Sequence, residues 1–153
     1  MAYASAFQTG GAFQVSAFQN VGTVSNELVT FLAANNELSG LDFFENFLPE
    51  SPVTCMAVIE TGGSAPDQIF GSSGIKWENP TVQVLARGVP QDSITPREYI
   101  HIAYKLLTTI QAQRLSGTEY LTAVPLQAPF VVTRDAKKRV VWGFNVLFQK
   151  ELS

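Results

Sequence analysis

The chain is poor in the residues from which catalytic chemistry is usually built. It has one cysteine and one histidine in 153 residues. A lone cysteine excludes an intrachain disulfide framework and suits synthesis in a reducing compartment. Cys55 lies within the apolar run Cys55-Met56-Ala57-Val58-Ile59, where a small buried hydrophobe is expected rather than a reactive thiol. His101 has no second histidine, cysteine or carboxylate cluster near it in the sequence, so neither a metal site nor a general base is expected there. Charge is scarce as well: 15% of residues are charged and the net charge is −3. The short basic run Lys137-Lys138-Arg139 is too small for the phosphate neutralisation that duplex binding needs, so sequence-specific nucleic-acid binding is not expected. No apolar run reaches membrane-spanning length and the N-terminus lacks a signal-peptide pattern, which points to a soluble protein made in a cytoplasm. Gly-rich phosphate loops, G-x-S-x-G and H-E-x-x-H are also missing. Asp67 and Glu78 could be imagined as paired carboxylates, but nothing places them together. No catalytic residue, metal ligand or cofactor is nominated, and an enzyme is not expected.

What remains is the composition of a scaffold. Apolar residues make up 46% of the chain, enough for one domain with a proper core. So few charges suggest that part of the surface is hidden in an assembly. The centre of the chain is the stretch Thr54–Gly88. Cys55–Ile59 reads as a strand buried on both faces. Val82, Val84 and Ala86 alternate with Gln83, Leu85 and Arg87, a strand with one wetter face. Gly62-Gly63 is predicted to stop the first strand and Pro80 to open the second. Between them, residues 62–79 read as a long projecting loop. Phe70, Ile75 and Trp77 stand in it as large apolar residues. Trp77 either folds back on the sheet edge or anchors a protein–protein contact, where tryptophan is enriched.

Residues 1–22 form a charge-free, low-complexity arm in which Ala-Phe-Gln recurs at 6–8, 12–14 and 17–19. These spacings fit neither a helical face nor a solenoid repeat. Three exposed phenylalanines would invite aggregation. Phe7, Phe13 and Phe18 are therefore expected to dock, on a neighbouring subunit or on their own domain, rather than to sit on a free tail. Ser25 is placed to cap a helix over 26–35, with Leu28, Phe31 and Leu32 on one face. Residues 41–48 favour a strand. Thr95-Pro96-Arg97-Glu98 signals the start of a second helix that runs toward Gly117. Its expected apolar stripe is Tyr99, Ile102, Ala103, Leu106, Leu107 and Ile110, with His101 turned to solvent or a partner. The remainder reads as β: Tyr120–Val124, a bend from Pro125 to Pro129, then Phe130–Thr133 and Val140–Phe148 around the hairpin connection 134–139. In the last strand Val140, Trp142, Phe144, Val146 and Phe148 fall on the core side, and the opposite side is mixed. The basic hairpin tip is expected to be a solvated turn.

Several short motifs resemble those of small neck and tail-completion proteins of tailed bacteriophages. They are Phe47-Leu48-Pro49-Glu50-Ser51-Pro52, Ala57-Val58-Ile59-Glu60-Thr61-Gly62-Gly63, Trp77–Gly88, the helix over Tyr99–Leu115 and Gln127-Ala128-Pro129-Phe130. The resemblance, to the tail-terminator or minor-capsid family with a lambda tail-terminator-like fold, covers roughly residues 25–148 and leaves the arm out. It implies an α+β fold with a mixed, mainly antiparallel sheet and two helices on one face, to which the residues themselves add the projecting loop and the extended N-terminal arm (1–22) before a single domain (23–153). It further implies a structural virion protein, assembled in the bacterial cytoplasm. Such a protein forms a homo-oligomeric, hexameric ring that caps the tail tube and meets the head connector. The implied subunit or tube contacts are Phe7, Phe13, Phe18, Phe70, Ile75 and Trp77. Arg134, Lys137, Lys138 and Arg139 would lie at the ring's rim or lumen, through which genome DNA passes. A head-closure ring, a tube subunit and a small monomeric ligand-binding domain are the other readings.

Overall fold

A computed structural model describes residues 23–68 and 76–151. Among the described residues the fold has two helices and a seven-stranded mixed sheet. Helix α1 spans Val24–Ala33 and strand β1 spans Asp42–Glu45. Strands β2 (Cys55–Gln68) and β3 (Lys76–Pro90) form a long antiparallel pair. Helix α2 (Ile94–Thr108) is followed by β4 (Gln111–Leu115), β5 (Thr118–Pro125), β6 (Phe130–Arg134) and β7 (Arg139–Glu151). The order across the sheet is β1-β2-β3-β7-β5-β4. Only β1 runs parallel to its neighbour, β2.

β7 is the spine. Along one side it pairs with β3 from Arg139 to Glu151. Along the other side it pairs first with β6 and then with β5. The bend between them, which the Pro125–Pro129 spacing predicts, divides that neighbouring edge in two.

The alternation read from the sequence sorts the two faces. Met56 and Val58, then Val82, Val84 and Ala86, then Phe144, Val146 and Phe148 are all fully buried and share one face. Leu28 and Leu32 of α1 and Ile100, Ala103 and Leu107 of α2 pack with them in one core. Both helices therefore cover the same face, as expected of the α+β class. On β2, Cys55 and Ala57 are buried as well, so this strand is closed on both faces.

Four elements, α1, α2, β2 and β3, differ from their sequence reading; β3 opens at Lys76 and carries Pro80 within it. α1 starts earlier, because Thr23 and not Ser25 is its cap: the Asn26 N–H donates to Thr23 Oγ1 at 3.2 Å. α2 begins at Ile94, where Asp92 Oδ1 accepts the N–H groups of Ile94 and Thr95. Its buried stripe is Ile100, Ala103 and Leu107, while Tyr99, Ile102 and Leu106 are half-buried flanks. It also stops at Thr108, well before Gly117. Gln111–Leu115 then pairs with β5, and a positive φ of 47° at Ala112 breaks the helical path. Last, Gly62-Gly63 does not end β2. The strand absorbs them in a bulge between Glu60 and Gly62, and pairing with β3 continues to Gln68. Most of the stretch read as loop is thus a two-stranded extension of the sheet.

Candidate assembly surfaces

The loop from Asn46 to Thr54 lies on the face of the sheet turned away from the helices, and two arginines hold it there. Arg87 is 3% exposed. Its Nε donates to the Val53 carbonyl at 2.9 Å, and its Nη2 donates to the carbonyls of Pro52 (2.8 Å) and Glu50 (3.3 Å). Arg139 is 4% exposed. Its Nη1 donates to the same Glu50 carbonyl at 3.0 Å, its Nη2 to Glu50 Oε2 at 3.2 Å and its Nε to Asp135 Oδ2 at 2.6 Å. Lys137 Nζ lies 2.5 Å from Glu50 Oε2. Hydrogen bonding and charge from Lys137, with Arg139 beside it, hold the Glu50 carboxyl below its usual value. Asp135 is likewise lowered, by the Arg139 backbone N–H and guanidinium and by the Lys137 backbone N–H. The basic hairpin is therefore divided: Arg139 is a structural clamp, Lys137 sits in an exposed ion pair, and Arg134 and Lys138 are exposed.

A second polar group ties α1 to the sheet. Glu27 is buried, and its carboxylate accepts from the Thr118 hydroxyl at 2.5 Å and the Tyr120 hydroxyl at 2.7 Å. Burial, with the Glu27 carboxylate next to it, pushes the Tyr120 phenol far above its ordinary value. At the start of the helix the Ser25 N–H and hydroxyl both donate to Glu60 Oε2, at 3.1 and 2.7 Å. At the far end of β7, buried Lys150 pairs with Glu78 Oε1 at 2.8 Å. Each of these polar groups is taken up in holding an element in place, and among the described residues no group of three histidine, cysteine or acidic side chains could hold a metal ion. Burial also pushes the Cys55 thiol up, and Arg87 Nη2 lies 3.6 Å from its sulfur.

What the fold leaves open is the rest of the face that the 46–54 loop only partly covers. The outward positions 81–85 of β3 and 143–149 of β7 carry no charged side chain. Gln83, Asn145 and Leu147 stand there half-exposed. The apolar surface continues across β5 and the bend in Val124 (48% exposed), Leu126 (53%) and Phe130 (36%). The sequence signal for this face was the mixed side of the last strand. Its continuation by the bend residues was not read. The helix side is different: Arg97, Glu98 and Lys105 are exposed on α2, and the Arg97 guanidinium sits 5.9 Å from the centre of the Trp142 ring. His101 also rests on Trp142, at 6.3 Å, and is half-buried rather than turned fully outward. Trp77 is half-buried on β3 opposite Asp67 and Glu151. Phe7, Phe13, Phe18, Phe70 and Ile75 lie outside the described residues.

The profile of the family described as "Bacteriophage tail terminator protein" matches residues 22–152. The chain belongs to that tail terminator family. No curated protein matches the sequence. Among solved structures, a chain from the "Virion of native gene transfer agent (GTA) particle" shares the fold, with a TM-score of 0.61 at 11% identity, covering 88% of this chain and 99% of that one. This tail terminator homologue is thus a structural protein of a phage-type virion, a component of the tail that assembles with other virion proteins. Among the described residues no helix is long and apolar enough to cross a membrane.

Proposed function

We propose that the protein closes into a ring, of six copies, on the end of the tail tube, stops its polymerisation and offers its other side to the head connector. Family membership over residues 22–152 supports the tail-end role. The observation that carries the ring is that the two sides of the sheet are unlike. One is capped by helices with charged outer faces; the other, beyond the part covered by the 46–54 loop and its Glu50–Lys137 pair, is an uncharged apolar and amide surface. A closed ring of identical copies uses heterologous contacts, in which two different patches meet, and the unlikeness of the two sides supports that reading. In this reading residues 23–153 act as one domain, with 1–22 as an arm reaching out from it. The β2–β3 extension, with Trp77 on it and Phe70 and Ile75 in its connection, reaches the adjoining subunit or the tube. Arg134, Lys137 and Lys138 face the rim, leaving the lumen free of a cationic patch that would hold passing DNA. Assembly takes place in the host cytoplasm, before the tail joins the head.

Light scattering behind a sizing column, run across a range of concentrations and repeated with purified tail tubes, tests the ring. A discrete hexameric mass, free or bound to tubes, is expected. A monomer under both conditions would refute it.

A further inference from the structure

The arm and the uncharged face have matching chemistry. Residues 1–22 contain no acidic, basic or histidine side chain, and their apolar content is led by Phe7, Phe13 and Phe18 with glutamines between them. The exposed face likewise combines apolar side chains with amides, Gln83 and Asn145 beside Val124, Leu126 and Phe130, and no charge. A charged partner would leave its ions desolvated and unpaired on such a surface, whereas a neutral one loses much less, its amides pairing with the amides there. Geometry adds a second argument. Among the described residues β6 has β7 as its only sheet neighbour, so its outer edge offers backbone groups to an added extended segment. Phe130 and Val131 on that edge are exposed.

The arm joins the fold at Thr23, the cap of α1, on the helix side of the sheet. The uncharged face is on the other side. In a ring with heterologous contacts two different patches meet at each boundary, so an arm that leaves one side of a copy can cover a different surface on the next. An extended segment of this length reaches roughly 70 Å, ample to cross such a boundary. The family match covers residues 22–152 and leaves 1–21 outside it.

We propose that residues 1–22 of one copy dock on the uncharged sheet face of the next copy along the β5–β6 edge, seating Phe7, Phe13 and Phe18 against Val124, Leu126 and Phe130. The proposal rests on the ring reading above and names one of its contacts.

Disulfide trapping between two full-length variants tests it. One carries Phe13→Cys and the other, with a different tag, Leu126→Cys; Phe18→Cys with Val124→Cys is a second pair in case either variant misfolds. Mixed and oxidised, with and without tail tubes, they are expected to give a cross-linked heterodimer. Its yield should exceed by about tenfold or more that of Phe13→Cys with Glu98→Cys on the helix side, because docking raises the effective concentration of the two thiols. A bond formed instead within single chains carrying both substitutions, at high dilution, would overturn docking between copies. Absence of the cross-link while light scattering still shows the oligomer would overturn the arm contact and leave the ring standing. Absence of both would overturn both.

Discussion

Arg139 and Glu50, 89 positions apart in the chain, meet twice: one guanidinium nitrogen donates to the Glu50 carbonyl at 3.0 Å and another to its carboxylate at 3.2 Å. The contact fastens the 46–54 loop to the β6–β7 hairpin. Glu50 and Asp135 are both held below their unfolded values of 4.5 and 3.8. A carboxylate whose folded value is lowered contributes stability above its unfolded value and loses it as pH falls through the folded one. The loop is therefore expected to loosen at acid pH, below about 4. Hydrogen exchange at residues 46–54 followed from pH 7 to 3 checks this, and Arg139→Ala should bring the same loosening at neutral pH. Lys137→Ala, which removes an exposed partner, should do so less.

Arg87 has no carboxylate partner, and its guanidinium instead satisfies three loop carbonyls. Arg87→Met keeps the stem and removes the donors. It is expected to destabilise the fold by roughly 3 kcal/mol, because buried acceptors are left unpaired. Urea denaturation measures it, and a loss under about 0.5 kcal/mol would show that water replaces the donors without cost.

Tyr120 and Glu27 give a prediction at the other end of the pH scale. Tyr120→Phe removes one of the two hydroxyl donors to a buried carboxylate, at a cost of about 2 kcal/mol near neutrality. The phenol is raised far above its unfolded value of 10.0. Its stabilising effect is complete below that value and is lost as pH rises, since the unfolded phenol ionises while the folded one keeps its proton. Stability should fall above pH 10 by about 1.4 kcal/mol per unit from this group. The difference in slope between wild type and Tyr120→Phe isolates the contribution from other groups that titrate there.

Gly63 of β2 pairs with Pro80 of β3. A Cβ there would stand 2.1 Å from the Asn79 carbonyl oxygen, at a φ of 150°. Gly63→Ala must push the two strands apart, and a loss of more than about 1 kcal/mol is expected. Gly117, also at positive φ but with open space around it, tolerates alanine better. Thermal denaturation of the two variants ranks them.

The pattern of legibility follows from what is local. The faces of β2, β3 and β7 were readable because the two-residue period of Val82-Val84-Ala86 and Phe144-Val146-Phe148 is imposed by burial alone. The bend at Pro125–Pro129 was readable from its prolines. The end of α2 was not, because Gln111-Ala-Gln-Arg-Leu has good helical propensity and is recruited into β4 by pairing with a strand still to come. Gly62-Gly63 looked like a stop for the same reason: only a partner strand turns such a pair into a bulge. The partners of Glu27 and Arg139 lie as far as 93 and 89 positions away, so no sequence spacing announces them. The family was legible in short motifs. The uncharged face was not, because it is assembled from three strands.

The central claim is that the protein ends a tube. Tube protein polymerising in vitro, with this protein added part-way, gives the most direct measurement: the distribution of tube lengths by electron microscopy. The account predicts that growth stops at the lengths present on addition, with a ring of protein seen on the tube ends. Tubes that continue to lengthen at an unchanged rate, or protein decorating their sides rather than their ends, would contradict it.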